Sequence, residues 1–418
     1  MSAGIPATGA GIVVLGAGQA GFQAAASLRE AGFAGPLTLL GDEPYLPYQR
    51  PPLSKAYLAG KTDAEGLALR PAAYLAEHRI AYRPGLRAEA IDRAGRRLLT
   101  GDGPMPYDHL ILATGSRNRP LPVPGADLDG VRQLRGLADA DALKADLARV
   151  RSVAVVGAGF IGLEFAAVAA ARGLAVTVVE AAARPMARAV SSETGDFFRA
   201  AHTGAGVAFA FEAGVTEIRG AGGRATALRL ADGREIAADL VLVGIGVLPN
   251  QEIAAEAGLA AADGIRVDAL LATDDPAVSA IGDCARFPTR FARGLAADGT
   301  VRIESVQNAI DQGRCLAARL AGRPASYDAV PWFWSDQGPD KLQIAGLAAP
   351  ADRAVVRGAG NAFSVFRFRD GHLSAVESVN RAGDHMIARR LIAAGTPLTP
   401  DQAADPAFDL KGLALGRP

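Results

Sequence analysis

Two glycine triplets mark where this sequence can do chemistry. Gly16, Gly18 and Gly21 in IVVLGAGQAG, and Gly157, Gly159 and Gly162 in VAVVGAGFIG, each follow a short apolar run and lead into an alanine-rich stretch of helical character. In such a turn the first glycine permits a tight reversal, the second lets the backbone approach a pyrophosphate, and the third lets helix and strand pack closely. The helix N-terminus then offers unpaired N–H groups and the positive end of its dipole to the anion. A carboxylate follows at the end of the next apolar run in both cases, Asp42 after PLTLLG and Glu180 after AVTVV. Each is placed to accept hydrogen bonds from a ribose diol. The repeated pattern predicts two dinucleotide sites in one chain.

The rest of the chain must position those turns. Its 418 residues suffice for two or three domains, and a hydrophobic content of 50% with 49 glycines suits a helix-and-sheet protein rather than a disordered one. Lys plus Arg and Asp plus Glu number 44 each, so no global field recruits nucleic acid or a membrane. The opening MSAGIPATGAG lacks the basic region and apolar run of a signal peptide, and no stretch approaches the ~20 apolar residues of a membrane span. A soluble, cytoplasmic protein is expected. Cys284 and Cys315 form no C-x-x-C, which argues against a redox-active dithiol; both are expected to be small buried residues, and no metal site is expected.

Prolines 44, 47, 51 and 52 stiffen a loop that carries Arg50 and Lys55. HLILATG reads as a buried strand ending in Ala113, Thr114 and Gly115, whose small size lets backbone approach a cofactor. A proline-rich crossover follows at 119–125, and DLVLVGIGVLPN returns through a second crossover near Gly246. AVSAIGDCA runs into Gly282 and Asp283, the aspartate being either a cap or a partner for a ligand hydroxyl, and RIESVQNAIDQGRCLAARLAG (302–322) reads as a helix. From Pro331 the chain reads as a small α+β domain. Trp332 and Trp334 near its start are expected to alternate in direction, so that one stacks on a flat ring while the other packs inside. The boundaries are then 1–118 with 247–330 for one nucleotide domain, 119–246 for the second, and 331–418 for the last.

These features together resemble the two-dinucleotide flavoprotein reductases of the glutathione-reductase type. Their fold is α/β, with two Rossmann-like dinucleotide-binding domains plus a C-terminal α+β domain. Within that group RPPLSKAYLAGK, ATGSRNRPLPVPG, VVGAGFIGLE, IGDCARF, RIESVQNA and PWFWSDQ resemble the FAD-dependent, NADH-using ferredoxin reductases of bacterial oxygenase systems. The resemblance spans nearly the whole chain.

The resemblance implies FAD in the first domain, contacting Gly16, Gly18, Ala20 and Gly21 at the pyrophosphate and Asp42 at the ribose, with Glu43 as its neighbouring alternative. Arg50, Lys55, Ala88, Ala113, Thr114, Gly115 and Arg135 would wall the site. Asp283 would take the ribitol, and Val306 and Trp334 would lie near the flavin ring. NADH would use Gly157, Gly159, Ile161 and Gly162 for its phosphates, Glu180 for its adenosine ribose, and Arg188 and Gly246 elsewhere along its length. A carboxylate at 180 repels a 2′-phosphate, which favours NADH over NADPH. Lys55 and Glu164 resemble a catalytic pair meeting beside flavin N5, although Glu164 could instead cap its own helix.

The implied partner is a [2Fe–2S] ferredoxin that supplies an oxygenase, a haem mono-oxygenase being the expected one, with Arg302, Lys341 and Lys411 in a docking patch. Rival readings are a reductase for rubredoxin or a small acceptor, and a redox-controlled interaction protein of the apoptosis-inducing-factor type. Oligomeric state is left open.

Overall fold

The computed structural model describes residues 9–416, so most of the opening segment read above for a signal peptide lies outside the described residues. The chain divides into two compact units. One comprises the chain up to Gln49, Leu67–Arg117 and Leu248–Pro331; the other comprises Arg50–Gly66, Asn118–Val247 and the chain from Trp332 onward. Among the described residues no helix is long and apolar enough to cross a membrane.

The first unit is built on a five-stranded sheet in the order Val278–Ala280, His109–Leu112, Ile12–Leu15, Leu37–Leu40 and Ala81–Arg83, with every neighbouring pair parallel. Central parallel strands are covered on both faces, which is why IVVL and HLIL are buried throughout and, His109 apart, apolar. Helix Gln19–Glu30 covers one face, burying Ala24, Ala25 and Leu28. Helix Val306–Leu320 lies against it at Gly313, where an added Cβ would come within 3.0 Å of the Ala24 nitrogen. That helix is shorter than the sequence reading of 302–322. Thr300–Arg302 pairs instead with Ala285–Pro288, and Ser305 then caps the helix by accepting from the Asn308 amide at 3.1 Å.

The second unit repeats the plan with Val207–Ala210, Ala175–Val179, Ser152–Val156, Leu240–Val243 and Val131–Arg132, again all parallel. The proline-rich segment belongs here because its side chains bond within this unit: the Tyr57 hydroxyl donates to Asp141 Oδ1 at 2.5 Å, and Arg172 donates to the Leu58 carbonyl. From Trp332 onward the unit carries a five-stranded antiparallel sheet, ordered Trp332–Gln337, Asp340–Gly346, His372–Val379, Ala362–Arg369 and Arg353–Ala359, followed by helix Ala382–Ala394.

The two tryptophans do not point apart. Strand side chains alternate between neighbours, so residues two apart share a face. The rings of Trp332 and Trp334 lie 5.6 Å apart at 38°, and the intervening Phe333 faces the other way, 4.5 Å from the ring of Phe160.

Two buried histidines make the fold sensitive to acid. His109 in the first unit is 4% exposed with Nε2 2.8 Å from Ser279 Oγ, and burial together with the Arg319 guanidinium lowers its pKa to about 3. In the second unit burial and Arg389 lower His385 to about 4. Above pH ~6.5 such a histidine is neutral whether folded or unfolded; below it only the unfolded chain takes up the proton, so stability is lost as pH falls. Each is expected to cost about 1.2 kcal/mol at pH 5.5 relative to pH ~7. Urea unfolding across this range should show the slope, and His109→Gln should remove its share. A slope unchanged in that variant would reject the assignment.

Candidate functional site

In the first unit the glycine turn joins Leu15 to helix Gln19–Glu30 where the sheet's strand order reverses, with Leu37–Leu40 on one side and His109–Leu112 on the other. Gly16 has φ of 110°, and a Cβ there would come within 2.1 Å of the Ala113 carbonyl oxygen. A Cβ on Gly21 would come within 1.9 Å of the Gly16 carbonyl oxygen. The first and third glycines are therefore required by the protein's own packing. Gly18 is not: a Cβ there meets nothing within 4 Å, so the reason for glycine lies outside the chain. Gly18 is also the N-cap of the helix, without a side-chain cap and without an acidic residue in the first turn, which leaves backbone donors for an anion.

Side chains around this turn are fixed by one another. The Ser116 hydroxyl donates to Asp283 Oδ2 at 2.8 Å, the Gly282 amide donates to Gln312 Oε1 at 2.7 Å, and Asn250 Nδ2 donates to the Thr114 carbonyl at 2.8 Å. Gly282 sits so close to the first helix that an added Cβ would come within 2.8 Å of Ala20 Cβ, which places Asp283 beside the cradle. Ala88 begins strand Ala88–Asp92, and Val306 begins helix Val306–Leu320.

The second unit holds the same device. A Cβ on Gly157, whose φ is 103°, would come within 2.5 Å of the Gly244 carbonyl oxygen, and one on Gly162 within 2.3 Å of the Gly157 carbonyl oxygen, whereas one on Gly159 meets nothing within 4 Å. Gly159 caps helix Phe160–Ala171, again with no side-chain cap and no acidic residue in the first turn. Glu180 is held at the turn by two backbone donors, Ala158 N to Oε2 and Ala182 N to Oε1, both 2.8 Å, which leaves acceptor capacity on both oxygens. Arg188 reaches to within 3.9 Å of where a Cβ on exposed Gly246 would stand, and Ile161 at the mouth of the turn is 39% exposed. Both cradles thus fit a dinucleotide: packing demands two glycines of each, and the open glycine faces unpaired helix donors.

Also in the second unit, Lys55 and Glu164 meet. Lys55 Nζ is 3.0 Å from Glu164 Oε1 and 3.6 Å from Asp336 Oδ2. The Glu164 carboxylate is 5% exposed and accepts from Ser54 Oγ at 2.5 Å and Ser335 Oγ at 2.6 Å. Burial raises its pKa, against the opposing pull of Lys55 and the two hydroxyls. Glu164 stands in the second turn of its helix with its carboxylate aimed at these partners, so it is not that helix's cap. Arg50 donates to the Arg135 carbonyl at 2.8 Å, bringing together two of the residues expected to wall the flavin site. Trp334 lies half-buried beside Trp332.

Other residues fall differently from expectation. Arg302 carries little free charge for docking: its side chain is 11% exposed, paired with Glu304 and with Asp263 at 3.3 Å, and it donates to the Asp283 carbonyl at 3.2 Å. Lys341 and Lys411 are exposed. Cys284 is buried as expected, Cys315 only half so, and both are free thiols. Asp42 is exposed and lies one residue farther from its strand than Glu180 does, since Gly16 N bonds the Leu40 carbonyl just as Gly157 N bonds that of Val179. The sequence reading missed Ser54, Ser116, Ser335 and Glu377. For Glu377 a signal existed: in HLSAVESV it occupies the alternate position shared with Leu373, Ala375 and Val379, an acid in an apolar row.

Paired cradles on twin parallel sheets define a flavin- and nicotinamide-dependent reductase, and the comparison with known proteins agrees. The chain belongs to the pyridine nucleotide-disulphide oxidoreductase family, whose profile matches residues 10–313, with a reductase C-terminal domain matching 332–414. It is 54% identical over 409 residues to rhodocoxin reductase of Rhodococcus erythropolis, covering 97% of this chain and 94% of that one. The crystal structure of the ferredoxin reductase for the CYP199A2 system from Rhodopseudomonas palustris superposes with a TM-score of 0.93 at 50% identity, covering 97% of this chain and 99% of that one. The reductase in the covalent putidaredoxin reductase–putidaredoxin complex gives 0.93 at 38% identity, over 97% and 98%.

Proposed function

We propose that this protein takes a hydride from NADH and delivers the electrons singly, through FAD, to a [2Fe–2S] ferredoxin that supplies an oxygenase, with a haem mono-oxygenase as the end user. It is an NADH-dependent ferredoxin reductase. The observation that carries this reading is the pair of open glycines, Gly18 and Gly159, each set at an uncapped helix terminus in its own sheet. The chemistry supplied by the bound flavin is acceptance of two electrons together and their release one at a time.

The chain's own residues bind and orient. In this proposal residues 1–118 with 247–330 hold FAD, 119–246 hold NADH, and 331–418 form the remaining domain. Gly16 to Gly21 and Gly157 to Gly162 receive the two pyrophosphates, Asp42 and Glu180 the adenosine riboses, and Asp283, oriented by Ser116, the ribitol. Arg50, Ala88, Ala113 to Gly115, Arg135, Val306 and Trp334 complete the flavin's surroundings, and Arg188 and Gly246 those of NADH. Glu180 selects against a 2′-phosphate because a second anion there would meet its carboxylate. Lys55 and Glu164 serve the hydride step. The compartment proposed is the cytoplasm.

Anaerobic rapid mixing tests the whole sequence of steps. Fast bleaching of the yellow protein by NADH, slower bleaching by NADPH, and rapid reduction of one [2Fe–2S] ferredoxin out of a panel are the expected results. Slow bleaching with no carrier reduced would replace this reading with a redox-controlled interaction protein, and preferential reduction of rubredoxin would change the acceptor.

A further inference from the structure

Between Glu180 and Ser191 the chain of the second unit leaves strand Ala175–Val179 and enters helix Ser192–Gly204, carrying Arg188 on the way. This loop is held by the C-terminal sheet. The Ser191 amide donates to both oxygens of Glu377, at 2.9 and 3.0 Å, and the Ser191 hydroxyl donates to Glu377 Oε2 at 2.7 Å while accepting from the Thr194 amide at 3.2 Å. Glu377 is 0% exposed, and Arg367 Nη1 on the adjacent strand lies 2.9 Å away as its counter-charge.

A second tie lies at the middle of the loop. Gln337 Nε2 meets Met186 Sδ at 3.5 Å, and the Met186 amide donates to the Ala158 carbonyl, inside the glycine turn, at 2.9 Å. Met186 has φ of 50°, a left-handed conformation that a residue with a side chain keeps only when its surroundings impose it. Within the loop Arg184 donates to the carbonyls of Ala187, Val190 and Ser191 at 2.8–3.1 Å.

A buried ion pair is a poor device for stability alone, because apolar residues of similar volume serve a fold as well or better. A carboxylate can, however, take three bonds from one residue and fix the point at which a loop ends, which no apolar side chain can do. We propose that Glu377, with Arg367 as its counter-charge, is a positioning residue for NADH. It pins the 181–191 loop so that Arg188 and the Glu180-braced glycine turn stand at fixed places when the nucleotide arrives. This inference rests on the NADH reading above.

The test compares Glu377→Gln and Ser191→Ala with Arg357→Met. Arg357 is a buried arginine of the same sheet whose guanidinium donates to carbonyls of 403–408 rather than to the loop. NAD+ affinity of the oxidised protein is measured by calorimetry, alongside FAD content, thermal stability, KM and kcat. Glu377→Gln and Ser191→Ala should raise the NAD+ Kd and the KM for NADH about tenfold, leave kcat within about twofold and leave FAD content unchanged. Arg357→Met should lower thermal stability with both constants unmoved.

Should Glu377→Gln fail to fold, Ser191→Ala alone carries the test, since it deletes one bond to the carboxylate together with the Thr194 cap and leaves the ion pair intact, and thermal stability reads out the loss of the cap. Normal NAD+ affinity in the folded variants, or an equal loss in Arg357→Met, would overturn the positioning role. A parent protein that takes no electrons from NADH would instead overturn the functional reading, whatever the variants do.

Discussion

Gly18→Ala and Gly159→Ala are each expected to strip one dinucleotide from an otherwise intact protein. Both positions have φ values open to alanine, −72° and −79°, and in neither does an added Cβ meet an atom within 4 Å. Folding should therefore be undisturbed or slightly favoured, by about 0.4–1 kcal/mol from the stiffer unfolded chain. The methyl group stands where the backbone must come closest to a phosphate, and pushing that anion away weakens charge-assisted bonds to the helix donors. A loss of about 2–3 kcal/mol, or roughly 30- to 150-fold in affinity, is expected.

For Gly18→Ala the measurement is the ratio of flavin to protein absorbance after purification; for Gly159→Ala it is NAD+ calorimetry on protein that keeps its flavin. Gly21→Ala provides the contrast, because its Cβ would lie 1.9 Å from the Gly16 carbonyl oxygen and unfolding should result. A Gly18→Ala protein that retains a full complement of FAD would end the assignment of that turn.

Lys55→Met is expected to slow flavin reduction by NADH about 100- to 1000-fold at saturating NADH, the scale seen when one electrostatic partner is removed from a reaction centre. Flavin content should fall much less than the rate, since the glycine turn that receives the pyrophosphate is untouched. The same substitution also leaves Glu164 buried without its cation. Burial already raises this carboxyl above its ordinary 4.5, and losing Lys55 removes the largest opposing influence.

An acid whose folded pKa is raised contributes stability that is present below its unfolded value and is lost as pH rises through the folded one. In Lys55→Met that window extends upward, so the variant should lose about 3 kcal/mol of stability relative to the parent as pH is raised toward 8. Adding Glu164→Gln should restore most of it. Chemical denaturation at pH 5 and pH 8 measures the stability difference, and rapid mixing measures the rate. Bleaching at a rate within about threefold of the parent would remove Lys55 from the hydride step.

Much of the site was legible because it is local. Both cradles lie within ten-residue stretches, and the spacing of Gly16, Gly18 and Gly21 follows from the geometry of one strand-to-helix turn. The parallel sheets were legible as well, since IVVL and LVLV are apolar on both faces and AVTVV is so apart from Thr177. The bonds that orient Glu164 were not, because Ser54 and Ser335 lie 110 and 171 residues away along the chain. Nothing in PPLSK announces that the serine will turn toward helix Phe160–Ala171 of the second unit. The grouping of Arg50–Gly66 with the second unit has the same cause. The tryptophan error was of another kind: the period of a strand was applied to the wrong pair, and Phe333 rather than Trp334 is the residue that faces away from Trp332.

The two cradles are closed differently by the strand that follows, and that difference bears on what each nucleotide must order when it binds. In the second unit the strand hands over directly to Glu180, whose carboxylate braces the glycine turn through Ala158. In the first, Gly41 holds the matching place, close enough that a Cβ there would come within 2.8 Å of Ala17 Cβ, and the acid comes one residue later. A turn braced by its own chain has little freedom to surrender when a ligand arrives, so little of the binding free energy is spent on ordering it. That suits a co-substrate consumed and expelled at every turnover.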